Sequence, residues 1–351
     1  MSPLPRPHRS LPQAVALSAG ALTLVSACSQ PPAAEVIAAD GALCDITRRL
    51  AAADVRVQCL LGPNDDPHQF QLTPTQSRDL RLARLVLING YGLTPPLERQ
   101  SGAIPIAERA VPKSPKLSSG ADPDAHPEAD SAHDHDHPQD QTTGPEGHQH
   151  GERDPHVWHD PAQAAAMVTA VSQQLQQLRP AAAAAIAQRA TAMTQTLRAL
   201  DRWNRRQFAS LPPQPGRRTL ATGHRAFASL SRAYGLRELA VVDAHSASDS
   251  LRPRALAAAV KRLQQNRVPA LFSETWPASR ALLRISDLSG VPLAPQALRA
   301  DGLAPAAGRA SSDGDLMATL TANTCLIVDQ LGGRCDRRGE QRLISQWQAI
   351  R

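Results

Sequence analysis

From residue 36 onward, short apolar runs alternate with amphipathic stretches. Residues 36–39 read as a strand, 42–53 as a helix and 55–61 as a second strand, closed by a turn at Gly62-Pro63-Asn64-Asp65. Thr73, Pro74 and Gln76 have the pattern of a helix start: a hydroxyl N-cap, proline in the first helical position, and a side chain that reaches back to the cap's N–H. That helix is predicted to end near Ala83. Leu85–Ile88 is apolar at every position, as a strand covered on both faces of a parallel sheet requires. Residues 161–178, and a stretch opened by Pro180 and running to about Phe208, read as helical and rigid, with 212–216 ending them. The alternation then repeats. Strands are expected at 219–221, 239–242, 270–273 and near Leu293, with helices at 226–234, 252–265 and 278–288 and a final helix at 314–331. Such alternation predicts open parallel sheets, whose ligands bind at the carboxyl ends of the strands.

The 351 residues suffice for two domains with separate cores. Residues 35–165 are assigned to an N-terminal α/β lobe, 166–211 to a helical connector and 212–351 to a C-terminal α/β lobe. The N-terminus carries a different signal. Arg6, His8 and Arg9 precede a largely apolar stretch from Leu11 to Val25, the order of a secretory signal, and the run is too short to span a bilayer. It ends in Val25-Ser26-Ala27-Cys28, which resembles a lipoprotein processing site. Residues 1–27 are therefore read as a removed signal peptide, Cys28 as the lipidated first residue anchoring the protein to a membrane, and 28–34 as a tether. The expected location is the periplasm or cell envelope.

Removing residues 1–27 takes away Arg6 and Arg9 and no acid, so the formal charge falls from +6 to +4. Basic residues are dispersed and only 3% of residues are aromatic, so the basic stripe and stacking rings of a nucleic-acid binder are absent. A monomer is expected. Beyond Cys28 there remain Cys44, Cys59, Cys325 and Cys335, an even set in an oxidising compartment. Proximity pairs Cys44 with Cys59 and Cys325 with Cys335, although three pairings are open. No CxxC spacing suggests a cysteine zinc site.

Histidine carries the candidate chemistry. His68 in NDDPHQF, His156 in DPHVWHDP and His224 in ATGHRAF each lie near a predicted strand or helix boundary. The tripeptide Asp-Pro-His occurs twice, with Asp66 and Asp154 expected to hydrogen-bond the turns that hold His68 and His156. His159 is expected to face solvent or cap the following helix, and His245 lies in a polar loop. Residues 112–153 change to Pro, Gly, Asp, Ser and His with almost no apolar residue, so they are read as a disordered insertion. They hold His126, His133, His135, His137, His148 and His150, half of the twelve histidines. His133, His135 and His137 alternate with Asp134 and Asp136, a pattern suited to weak, exchangeable Zn²⁺ binding, to which His148 and His150 would add.

The landmarks DPHQFQLTP, LVLINGYGL, the His-rich insertion, DPHVWHDP, ATGHRAFASLSRAYGL, LFSETWPASRALLRISDLSGVPL and ADGL, in that order, resemble the solute-binding proteins of zinc and manganese ABC importers. The resemblance covers roughly residues 35–335. It implies two similar α/β lobes joined by one long rigid helix, with the metal in the cleft between them. It also implies His68 and His156 as ligands from the first lobe, His224 from the second and Asp301 as a carboxylate, with Glu274 as a structural partner of the cleft. Manganese members usually present Glu where His224 stands, so the resemblance implies Zn²⁺; three nitrogens and one oxygen suit a zinc tetrahedron. Arg225 and Leu316 depart from the pattern, which usually has an acid and a tyrosine there. The implied partners are an ABC permease, contacted directly, and its ATPase.

Three other functions compete. A manganese-binding relative would use the same cleft, and a zinc-buffering or adhesin lipoprotein could do so too. A zinc hydrolase could activate water on three histidines, but HExxH and GxSxG are both absent, so no enzymatic activity is expected.

Overall fold

The computed structural model describes residues 34–62, 65–117, 153–242, 252–305 and 314–351. The signal segment, Cys28, most of the tether, the insertion histidines and His245 lie outside them. Four parallel strands form the first sheet: β1 Val36–Ala38, β2 Val57–Cys59, β3 Leu85–Ile88 and β4 Ala103–Pro105, in the order β2-β1-β3-β4. Val36 lies opposite both Val57 and Leu85. Between the strands run α1 Gly41–Ala51, α2 Pro74–Leu82 and α3 Pro95–Glu98, with α4 Ile106–Ala110 following β4. The capping box that opens α2 is formed: Gln76 N–H donates to Thr73 Oγ1 at 3.2 Å and Thr73 N–H to Gln76 Oε1 at 3.0 Å. β4 and α4 have no counterpart in the hydrophobic pattern, because each is a few residues long and β4 ends in proline.

α5 Pro161–Leu178 coincides with its predicted range. The chain breaks at Pro180, and α6 Ala183–Ala209 follows. With 27 residues, α6 spans about 40 Å at 1.5 Å per residue. Leu197, Leu200 and Trp203 of α6 pack into the first lobe's core, while Phe208 enters a core of the second. α5 instead buries Met167, Val168, Val171 and Leu175 in the first core. α6 thus runs from the core of one lobe into that of the other.

The second sheet has three parallel strands, β5 Thr219–Thr222, β6 Arg237–Ala240 and β7 Leu271–Phe272, in the order β6-β5-β7. Around it lie α7 Ala228–Tyr234, α8 Pro253–Gln265 and α9 Arg280–Ser289, and a small hairpin joins β8 Ala304–Pro305 to β9 Gly314–Asp315. β6 starts two residues before the apolar run 239–242 that predicts the strand. Its first residues, Arg237 and Glu238, pair with Thr219 and Leu220 but are polar and only partly covered, so hydropathy does not mark them.

The helix predicted as final, α10 Leu316–Gln330, is followed by another, α11 Arg337–Gln348. α11 was missed because its sequence is mostly charged and polar. It has few apolar side chains, but they are decisive: Leu343 and the fully buried Trp347 join the first lobe's core, as do Leu316, Met317 and Leu320 of α10. Leu316, one of the departures noted in the sequence, is therefore a core residue. A polar bolt fastens this return: Trp347 Nε1–H donates to Asp45 Oδ2 at 2.8 Å, and Arg49 binds Trp347 O, Asp45 and Asp315. Cys44–Cys59 and Cys325–Cys335 are disulfide-bonded, with Cα separations of 5.5 and 5.1 Å, the pairing that proximity favoured. No helix among the described residues is long and apolar enough to cross a membrane.

Candidate metal centre

Four loops converge at the carboxyl ends of the two sheets. His68 lies in the single turn Pro67–Gln69 after β2, where Asp66 caps the turn by accepting from His68 N–H at 2.9 Å and from Gln69 Nε2 at 2.8 Å. His156 precedes a similar turn, Val157–His159, which leads into α5. Asp154 Oδ1 accepts from the His156 backbone N–H at 2.9 Å and lies 3.0 Å from Nδ1. That bond places a proton on Nδ1 and directs Nε2 toward the centre. Asp154 Oδ2 accepts from Ser229 N–H and Oγ–H of α7, so the same carboxylate ties the first-lobe loop to the second lobe. Asn89, at the end of β3, steadies the loop by donating to Pro155 O at 2.8 Å.

His224 follows β5. Its backbone N–H donates to Glu274 Oε1 at 3.1 Å, and its Nδ1 lies 3.6 Å from the same oxygen. Asp301 stands in the loop before β8. Its Oδ1 is 3.0 Å from His156 Nε2 and 3.2 Å from His68 Nε2, and its Oδ2 is 3.7 Å from His224 Nε2. The two Nε2 atoms of His68 and His156 are 3.4 Å apart. One ligand atom from each of His68, His156, His224 and Asp301 lies within 4.8 Å of the others. For a metal bonded at about 2.0–2.1 Å, the edge of a tetrahedron is about 3.3 Å. The closest three separations already match that edge, and the fourth group stands slightly outside it.

Charge is concentrated here. Burial alone would lower the His156 pKa, but Asp301 and Asp154 on its two nitrogens raise it to about 10. Asp301, despite its burial, is held well below the ordinary carboxylate range by His156 and His68. Asp154 is likewise lowered against its burial by His156 and Ser229. Burial pushes Glu274 up to about 8. The centre opens into a cavity of about 720 Å³ lined in part by His68, His224, Glu274, Trp276, Arg299 and Asp301.

The four residues singled out as ligands thus meet at one point, and Asp66, Asp154 and Glu274 each bond the backbone N–H of one histidine of that group. His159 corrects its expectation. It is 1% exposed, its Nε2 lies 2.9 Å from Ala300 O, and the cap of α5 is Asp160, which accepts from Ala162 N–H at 2.9 Å. Spacing from His156 could not show this, because a tight turn sends nearby side chains in opposite directions. Ser229 and Asn89 were not foreseen. Asn89 had a usable signal, since it directly follows the apolar strand Leu85–Ile88.

The same architecture occurs in solved structures. The periplasmic zinc-binding protein TroA of Treponema pallidum superposes with a TM-score of 0.68 at 25% identity, covering 86% of this chain and 99% of TroA. Fe(III)-bound YtgA of Chlamydia trachomatis shares the fold at 21% identity and a TM-score of 0.66, over 85% of this chain and 98% of YtgA. In sequence, zinc-binding TroA of T. pallidum (strain Nichols) is 30% identical over 248 residues, 68% of this chain and 70% of that protein. Manganese-binding lipoprotein MntA of Bacillus subtilis (strain 168) is 25% identical over 255 residues, 71% of this chain and 73% of MntA. The profile of the ZnuA family, zinc-uptake complex component A periplasmic, matches residues 36–330. With its two sheets, its single long helix and this match over most of its length, the chain belongs to the ZnuA family of periplasmic zinc-uptake components.

Proposed function

We propose that this chain is the extracytoplasmic binding component of a metal ABC importer, and that its cargo is Zn²⁺ held by His68, His156, His224 and Asp301. The observation that carries the reading is the convergence of three imidazoles and one carboxylate, with His68, His156 and Asp301 at tetrahedral separations and His224 beside them. Three nitrogens and a single oxygen favour zinc, whereas Mn²⁺ prefers more oxygen ligands. The names of TroA and of the family agree with zinc; that of MntA indicates manganese for its own protein.

Binding requires no covalent step. The ion enters through the cavity and displaces the proton on His156 Nε2. Asp154, hydrogen-bonded to Nδ1, makes that imidazole a stronger donor. With His224 drawn in, four protein ligands would fill a tetrahedral shell and leave no position for an activated water, which supports transport rather than hydrolysis. The loaded chain would then dock on the permease, working as a monomer anchored through a lipid on Cys28. The insertion histidines His133, His135, His137, His148 and His150 would supply weaker, exchangeable sites.

Metal analysis of the purified chain after equilibration with equal Zn²⁺ and Mn²⁺ tests the reading. One equivalent of tightly held zinc is expected. Preferential retention of manganese would assign the cleft to that ion instead.

A further inference from the structure

His156 and His159 belong to one tight turn, yet they serve opposite sides of it. His156 turns Nε2 into the ligand cluster; His159 turns Nε2 to the carbonyl of Ala300, 2.9 Å away. Ala300 directly precedes Asp301 and is itself buried in a core of the second lobe. The His159 ring is wedged against Phe227, with centroids 4.7 Å apart, and against Trp158 at 5.5 Å. Its Nδ1 is buried without a hydrogen-bond partner among the described residues. A buried, half-satisfied imidazole is costly. Leucine or phenylalanine would fill such an apolar slot more cheaply, so what distinguishes histidine here is the N–H given to Ala300.

That bond closes a ring of connections. Asp301 Oδ1 touches His156 Nε2; His156 leads through the turn to His159; His159 holds Ala300; Ala300 leads back to Asp301. The carboxylate comes from the second lobe and the turn from the first, so the bond fixes the height of Asp301 over the histidines contributed by the other lobe. Oδ1 of that carboxylate lies against His156 and His68 and Oδ2 faces His224, a close fit for a small tetrahedral ion; a larger, oxygen-seeking ion needs the carboxylate to move back from the histidines.

Resting on the ligand set proposed above, we infer that His159 is a positioning residue that sets metal specificity: its Nε2–H pins the Ala300 carbonyl and holds Asp301 where the site fits Zn²⁺ better than Mn²⁺. The experiment compares His159→Met with His159→Gln in the full chain. Both side chains have the reach of histidine and similar volume, but only Gln can donate to Ala300 O. Zn²⁺ and Mn²⁺ affinities are measured by chelator competition and the Co²⁺ form by its d–d absorption, with metal-free melting temperature as the control for folding. His159→Met should weaken zinc by about 10 to 100-fold, narrow the zinc-to-manganese ratio and reduce the tetrahedral Co²⁺ band; His159→Gln should restore all three. Equal losses in Gln and Met, or an unchanged ratio and Co²⁺ spectrum in Met, would overturn the inference while leaving the ligand set standing. A wild-type chain that binds neither ion would remove the ligand set and this inference together.

Discussion

Zn²⁺ titrated into the metal-free chain at pH 8 should expel at least one proton per ion. His156 is raised to about 10: burial works against its charge, but Asp301 and Asp154 more than compensate. At pH 8 it is about 99% protonated, whereas an ordinary imidazole near 6.5 would be about 3% protonated. Zinc needs the Nε2 lone pair, so that proton must leave. Glu274, raised to about 8 by burial, is about half neutral at this pH, and a nearby dication would ionise it, adding up to about half a proton. The expected total is about 1 to 1.5. Calorimetry in buffers of different ionisation enthalpy counts protons directly, and Glu274→Gln isolates the His156 share at about one. Lowering the pH from 8 to 6 should cost about 2.7 kcal/mol of binding, roughly 100-fold in affinity, for this proton alone. The sign for the metal-free chain is opposite. Because the folded value is raised, His156 contributes stability fully below about pH 6.5 and loses it as pH climbs toward 10. Release of almost no protons by Glu274→Gln at pH 8 would refute the ion-paired description of the site.

Replacing His224 with Glu exchanges a neutral nitrogen for a charged oxygen, and zinc affinity should fall by well over tenfold while manganese gains in relative terms; competitive titration of both ions would decide, and unchanged zinc affinity would remove His224 from the ligand set. Deleting residues 122–151 should strip weak zinc sites and leave one tight site, because the cleft ligands lie elsewhere; loss of the tight site on equilibrium dialysis would place a primary ligand in the insertion. The Cys44–Cys59 bridge closes a short loop with a sequence separation of 15, so replacing both cysteines with Ser should cost about 3 kcal/mol. A denaturant melt measures that loss, and an unchanged midpoint would contradict it.

The βα alternation, the capping box of α2 and the span of α5 were legible because each is written in local chemistry: hydrophobic period, a Thr-Pro-x-Gln start, a run bounded by prolines. His68 and His156 were legible for a related reason, since Asp-Pro-His supplies both the donor and the carboxylate that shapes its turn, whereas Asp301 was implied only by the family resemblance. β4 and α11 were not, because a three-residue strand and a largely polar helix leave no periodic trace. What long-range packing decided could not be read at all. The return of α10 and α11 to the first core depends on Trp347 meeting Asp45, whose side chains are about 300 positions apart in sequence. The role of His159 depends on which way a turn faces a carbonyl 141 residues away. Sequence by itself determined which groups could bind a metal; the tertiary structure decided how four of them meet within 4.8 Å and what holds them there, because only the packing of the two lobes sets distances between loops far apart in sequence.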